Sequence, residues 1–405
     1  MARFAALSIS LVTAPLLARA LSPSERGEVA ALIAVLYIAP IALGLGISSE
    51  IRRRAVDQQA AILVRTSRLN TALLLPLAWV MALVLSVTLL SQVDSISPPV
   101  MLTAILFAPL TVHWMSLLSI CVAEQRFRVI AAMVLTLPVV NLSGLTAFTV
   151  AGGVEANQVI VLHLVGSLLT AMIPELAIAA PLTGPRLDQL DIMAGAVKFA
   201  GASLAEAGTN RLDQAVMLLF VTPFEAGQYS ISVTIGSLPV ILGQVAAMQY
   251  FKAFGHRLGD LSLAREAIRG TFSAVTVVAI TAAVLTPVLL PSVFGQAYSS
   301  AVPATLIMLC AAPFAAAVLV STAVLTAWSR PHRLTTSQLT GVAVNMGVIP
   351  LAAILGALGM ALAAFISYVV VAVAQTRLSL GLGWRIFVPS TAKAVRVLLD
   401  LARGA

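Results

Sequence analysis

The chain has 405 residues, of which 60% are hydrophobic and only 10% charged. With a mean hydropathy of +1.02, that composition excludes a soluble domain of this length. The net charge of +8 follows membrane topology and not nucleic-acid binding, and the absence of a Walker-type glycine loop (GxxxxGKS/T) argues against a built-in ATPase.

Apolar runs of about 20 residues, each able to cross a hydrocarbon core of roughly 30 Å, predict helices in the first half at 2–21, 28–47, 68–90, 100–121, 131–151 and 158–180. The first run, with Arg3 before it and Ala18-Arg19-Ala20 at its end, also imitates a secretory signal with a cleavage site. Its pairing with the intact helix before Pro223 favours a retained span. Arg19, at the outer end of this helix, either snorkels or reaches a cavity mouth. His113 lies mid-span in the fourth helix and His163 in the sixth, where a lone histidine more often bonds a neighbouring helix than relays protons. Glu175 follows Pro174, about two turns from the end of the sixth. Prolines 76, 109, 138, 174 and 239 fall inside spans, where each frees a backbone carbonyl.

In the second half the helices are predicted at 197–221, 228–250, 268–290, 301–327, 336–356 and 359–378, twelve in all. The seventh, KFAGASLAEAGTNRLDQAVMLLF, is the least apolar. At 100° per residue Ser203, Glu206, Asn210 and Asp213 fall within one quadrant, with Gln214 beside it and Arg211 turned away. Ionisable groups in a span cost several kcal/mol unless they face a cavity or a partner. The stripe is therefore expected to line a watery path; the alternative is interhelical glue. Glu206 and Asp213 are candidates for ion coupling, and Glu175 joins them if it faces the same cavity as Glu206, since neighbouring acids raise one another's pKa. Arg211, with Arg19 and the group Arg52 and Arg53, is the set available to an anionic ligand. Cys121 and Cys310, on different helices, fit neither a disulfide framework nor a metal site and are expected to pack.

Basic residues orient the chain. Arg52, Arg53, Arg54, Arg65 and Arg68 are placed in the second loop and Arg126 with Arg128 in the fourth, with Lys252, Arg257, Arg265 and Arg269 in the eighth. The odd-numbered loops hold Glu25, Asp94, Glu155 and Glu225 instead, which puts both termini in the cytoplasm. After Pro389, Val395, Leu398, Leu399 and Ala402 oppose Lys393, Arg396, Asp400 and Arg403, a basic amphipathic tail suited to an anionic leaflet or to solvent.

The chain also repeats. Pro23, Glu25 and Gly27 return 200 residues later as Pro223, Glu225 and Gly227, and Thr136, Asn141 and Gly152 return 204 residues later as Thr340, Asn345 and Gly356. Two copies of one six-helix unit are expected, residues 1–185 and 186–380, with a tail at 381–405. Six crossings per unit make the repeat parallel, as in carriers whose site lies where two repeats meet.

LLARALSPSERGEVAAL resembles the end of helix one and start of helix two in oligosaccharide and polysaccharide flippases. NRLDQAVMLLFVTPFEAGQYSISVTIGSLP resembles their helix seven–eight stretch, in which an R-x-D precedes a glycine–x–tyrosine, here Gly227 and Tyr229. VFGQAYSSAVPATLIML resembles the loop into helix ten. That family belongs to the multidrug/oligosaccharidyl-lipid/polysaccharide exporter superfamily. The resemblance implies two six-helix bundles around a V-shaped central cavity and alternating access that carries an undecaprenyl-pyrophosphate-linked glycan to the outer leaflet. It also implies the bacterial cytoplasmic membrane, no cofactor, no enzymatic activity, and a polysaccharide polymerase and glycosyltransferases as partners. Arg211 and Asp213 match the R-x-D, and Arg211, Asn210, Asp213, Gln214, Ser203 and Arg19 are the substrate-binding candidates. The lipid II flippases' arginine-rich helix one is missing. The rival readings are a cation-coupled small-molecule antiporter of the same superfamily, a major-facilitator transporter, and a non-transport scaffold for polysaccharide polymerisation.

Overall fold

The computed structural model describes residues 2–55, 57–395 and 397, and its regular structure there is entirely helical. Among the described residues ten helices are long and apolar enough to cross a membrane. Helices α1 and α9 occupy the first and seventh predicted positions. Backbone packing divides the chain into two compact units, Met1–Ala207 with Gln214–Leu218, and Gly208–Asp213 with Leu219–Ala405.

Unit 1 starts with α1 (Ala2–Ala20), which packs along α7. Helix α2 (Pro23–Gly44) begins five residues before the expected position because its N-terminus is fully capped. Ser22 accepts from the Glu25 amide at 3.3 Å, and Glu25 accepts from the Ser22 amide at 2.8 Å, a capping box with proline in the first turn. Instead of the expected loop, residues 47–54 form a short helix, α3 (Ile47–Arg54), in which Ile47 and Ile51, one turn apart, are buried. Helix α4 (Ala60–Val87) likewise begins earlier than position 68 and takes in Arg65 and Arg68. Hydropathy marks the stretch that crosses hydrocarbon, whereas the helical backbone runs on into the headgroup layer under its own hydrogen bonds. The fourth span breaks at Phe107 into α5 (Pro98–Leu106) and α6 (Ala108–Ala123), so Pro109 sits in the first turn of a new helix and not inside a continuous one. Then follow α7 (Phe127–Ala151), α8 (Ala156–Ile178) and α9 (Gln189–Val216), the last capped by the Asp188 side chain on the Leu190 amide at 3.2 Å.

Unit 2 opens on a hairpin of two 34-residue helices, α10 (Pro223–His256) and α11 (Leu261–Phe294). The turn is residues 257–260, where the Asp260 carboxylate accepts from the Ser262 and Leu263 amides and caps α11. The Ser262 hydroxyl also donates to this carboxylate at 2.6 Å, and that bond, with the two amides, holds Asp260 below the usual carboxylate range. Beyond it lie α12 (Val302–Ala327), α13 (Pro331–Val348), α14 (Ala352–Leu355) and α15 (Ala357–Val373), the last running into one π turn at Ala374–Ser379. Gly236 and Gly243, one heptad apart on α10, let α12 approach: a Cβ at Gly243 would stand 2.8 Å from Ala316 Cα. In the tail Ala394 and Val397 are buried while Val395 is exposed, a different face from the one expected. The cause is Gly270, whose missing side chain leaves the space filled by Val397. Arg396, Leu398, Leu399, Asp400, Ala402 and Arg403 of the expected amphipathic tail lie outside the described residues. Of the cysteines Cys121 is buried, whereas Cys310 is exposed and does not pack in the core.

The sequence repeat has a local structural counterpart in each unit. Ser22 and Thr222 adopt the same extended conformation (φ −64 and −65, ψ 157) and cap the amides of Glu25 and Glu225. Glu28 binds the Asp94 and Ser95 amides at 3.1 and 2.7 Å, in the loop before the fourth span. Its counterpart Gln228 donates to the Ala297 carbonyl at 2.9 Å, in the loop before α12. The fourth span of each unit ends on a left-handed residue, Gln125 (φ 56) or Ser329 (φ 52). In each case the next amide, Arg126 or Arg330, bonds a carbonyl five residues back at 2.9 Å.

Two helices carry outward apolar stripes. Leu73, Leu77, Val80, Val84 and Val87 of α4, at alternating steps of four and three, are all exposed, as are Val277, Ile280, Val284 and Val288 of α11. Water would penalise such contiguous surface, and acyl chains do not.

Candidate functional site

The α9 residues singled out by sequence meet different surroundings. Asp213 and Gln214 are buried, Ser203, Asn210 and Arg211 are half-buried, and Glu206 is exposed. Tyr229, fully buried nearly two turns past the capped start of α10, donates its hydroxyl to Asp213 Oδ2. The acid of the R-x-D and the tyrosine of the glycine–x–tyrosine therefore touch within unit 2. The sequence carries both motifs, but a bond between residues 16 apart across a helix–loop–helix step has no periodic signature. One turn earlier Gly208 faces Val342 of α13, and Thr209 donates to the Gln338 carbonyl at 3.4 Å. Arg19 is exposed in the last turn of α1.

Unit 1 assembles a polar cluster that sequence reasoning left scattered. Arg68 of α4 forks onto Glu175 of α8, with Nε to Oε1 at 3.0 Å and Nη2 to Oε2. The same guanidinium donates to the Ala180 and Pro181 carbonyls at 3.0 and 3.2 Å, which holds the end of α8. His113 of α6, nearly fully buried, lies 2.6 Å from Glu175 through Nε2 and 2.8 Å from Ser67 Oγ through Nδ1. Glu175 thus meets an arginine and a histidine of its own unit. Arg68 lies about two turns inside α4, and Glu175 within the last turn of α8.

A second cluster fastens α3 to α9. Glu50, fully buried, accepts from Arg53 Nε and Nη2 at 2.8 and 2.5 Å and from Arg54 Nε at 2.7 Å. Arg54 also donates to Asp191 of α9 at 2.8 Å. The Arg53 fork, with Arg54, holds Glu50 below the usual carboxylate range although burial pushes the other way. Gly195 of α9 makes room: a Cβ there would come within 2.4 Å of the Glu50 carboxyl carbon.

On the opposite face of α3 a cavity of about 440 Å³ opens within unit 1. Arg52 and Ser48 line one part of it, and Arg52 Nη2 reaches Ser119 Oγ of α6 at 3.4 Å. Tyr37, Phe107 and Trp114 line the rest with aliphatic side chains, together with His163 and Ser167 of α8, and among the described residues no carboxylate lines it. Among the described residues no three of His, Cys, Asp and Glu come together as a metal-ligand set.

No protein-family model matches the chain, and no curated protein matches it. Solved structures do. A lipid II flippase, MurJ, in an inward closed conformation superposes with a TM-score of 0.74 at 12% identity, over 99% of this chain and 91% of that one. The chain has the fold of the MOP superfamily transporters. An inward-facing MATE multidrug resistance transporter of that superfamily follows at 0.63 and 12% identity, over 98% and 95%. The MATE multidrug transporter DinF-BH, solved as a ligand complex, superposes at 0.61 and 15%, over 95% and 94%. At these identities the likeness concerns the MOP fold of a multi-pass membrane protein, and the substrate has to be argued from residues.

Proposed function

We propose that the protein is a flippase of the bacterial cytoplasmic membrane, moving a lipid-linked oligosaccharide, a polysaccharide precursor, to the outer leaflet by alternating access. The observation that carries the reading is the near-full-length fold likeness to a lipid II flippase at TM-score 0.74, against 0.63 for a multidrug transporter. The motif acid Asp213, buried and bonded by Tyr229, supports it. In this reading the α9 stripe takes the head group: Arg211 and Arg19 the pyrophosphate, and Ser203, Asn210 and Gln214 the sugar hydroxyls. Keeping that polar surface out of hydrocarbon avoids its desolvation cost. Glu206, Asp213 and Glu175 are the ion-coupling candidates. An undecaprenyl-pyrophosphate-linked glycan is the substrate, glycosyltransferases supply it, and a polymerase consumes it.

The second reading is a cation-coupled small-molecule antiporter of the same fold. The aromatic wall of Tyr37, Phe107 and Trp114 favours it, whereas the absence of a lining carboxylate beside Arg52 opposes a cationic cargo. Proteoliposomes holding a fluorescent polyprenyl-pyrophosphate sugar decide between them. The expected result is protein-dependent loss of quencher protection, reduced at least tenfold by Arg211→Gln with unchanged folding. Dye export with no lipid movement would replace the flippase with the antiporter.

A further inference from the structure

Arginines 52, 53 and 54 are sorted by α3 into two jobs. Glu50 holds Arg53 and Arg54 through positions three and four ahead of it. Arg52 has no carboxylate partner among the described residues and shares the other face of the helix with Ser48, one turn away. Both line the unit 1 cavity, and across it Ser119, 1% exposed, accepts from the Arg52 guanidinium at 3.4 Å while its own hydroxyl donates to the Met115 carbonyl at 3.0 Å. A positive charge steadied by that bond, with the Ser48 hydroxyl one turn away, is a site for phosphate oxygens. Apart from Thr111, His163 and Ser167, the remaining walls, from Leu36 and Ile41 of α2 to Phe107, Trp114 and Leu118, are apolar and would stay unfavourably wet around a bare ion. About 440 Å³ lies within the range of pockets that enclose small ligands, and an amphiphile satisfies both ends.

We propose that unit 1 carries a resident site for one anionic phospholipid, its phosphodiester on Ser48 and on Arg52, which Ser119 positions, and an acyl chain along Tyr37, Phe107 and Trp114. The cargo does not enter the argument: no α9 residue lines the cavity, so the site stands or falls separately from the flippase reading. A choline headgroup finds no carboxylate there, so phosphatidylglycerol is preferred to phosphatidylcholine.

Native mass spectrometry of the full chain, released from detergent with either lipid, reads this directly. Wild type is expected to keep one phosphatidylglycerol at least fivefold more often than phosphatidylcholine. Arg52→Gln should abolish that preference, while Arg128→Gln, an exposed arginine outside the cavity, should keep it. Equal retention of both lipids, equal loss in both variants, or retention of only the polyprenyl-pyrophosphate sugar would overturn the proposal. Wild-type protein with a diazirine-tailed phosphatidylglycerol covers the case in which Arg52→Gln does not fold. Labels are expected on the peptide spanning Phe107 and Leu118, and labels confined to the outward stripe of α4 would overturn the proposal as well.

Discussion

Glu50 and Glu175 show how this chain keeps carboxylates inside apolar surroundings: each is met by a forked arginine and by a further donor. Removing one partner of such a set leaves the other charge uncompensated, which costs about 3–5 kcal/mol when the pair is buried. For Glu50 the sign with pH is fixed. Its folded pKa is lowered, so its contribution is complete above the unfolded value of about 4.3 and disappears as pH falls through the folded one. Glu50→Gln should therefore lower the melting temperature in detergent at pH 7, by about 3 kcal/mol of stability. The gap to wild type should close steadily below about pH 4.3; a gap constant down to about pH 3 would contradict this. None of these partnerships was legible from sequence. Arg68 reads as a loop residue because the apolar run begins after it, and Glu175 and His113 each look solitary along their own helices. The Asp213–Tyr229 bond was nearer the surface of the sequence, since both residues belong to motifs already noted.

Helices were far more legible than contacts. A run of about 20 apolar residues has one solution in lipid, because every backbone group must find its partner inside the segment. The exception was α3, where Ile47 and Ile51 are the only large apolar residues in eight, too few to stand out between arginines. The helices are joined at small residues, and α10 offers the sharpest case. Gly243→Val puts side-chain atoms where Ala316 already sits. Separating α10 from α12 should cost about 1–3 kcal/mol, seen as a lower melting temperature and a broadened size-exclusion peak. The same change at Gly255, where a Cβ meets nothing within 4 Å, should be neutral. Valine is the better helix former, so similar losses at both positions would show that close approach to Ala316 does not govern the effect.

At the scale of the whole molecule, the segments expected to repeat match locally and differ in detail. Ser22 and Thr222 kept their capping role, but the acids behind them parted ways. Glu25 closes onto Ser22, whereas Glu225 binds the Ala357 amide at 2.8 Å beside Gly356. The short motifs show in the sequence, but the different partners of Glu25 and Glu225 are visible only in three dimensions. Topology is a separate inference from arginine placement. Fusions to residue 405 should fluoresce with green fluorescent protein and stay inactive with alkaline phosphatase. The reverse pattern would invert the orientation and move Arg52 to the other leaflet.

The long hairpin of α10 and α11 has a practical consequence. If Lys252 and Arg269, the charges that flank the apolar stretches of its arms, lie at the headgroup level, between about one and two turns of each arm extend beyond the hydrocarbon. A 42.1 kDa protein buried in a micelle offers electron microscopy little to align on. Splicing a rigid helical protein between Leu258 and Gly259, in continuous register with both arms, would give each particle a landmark without touching either the α9 stripe or the cavity.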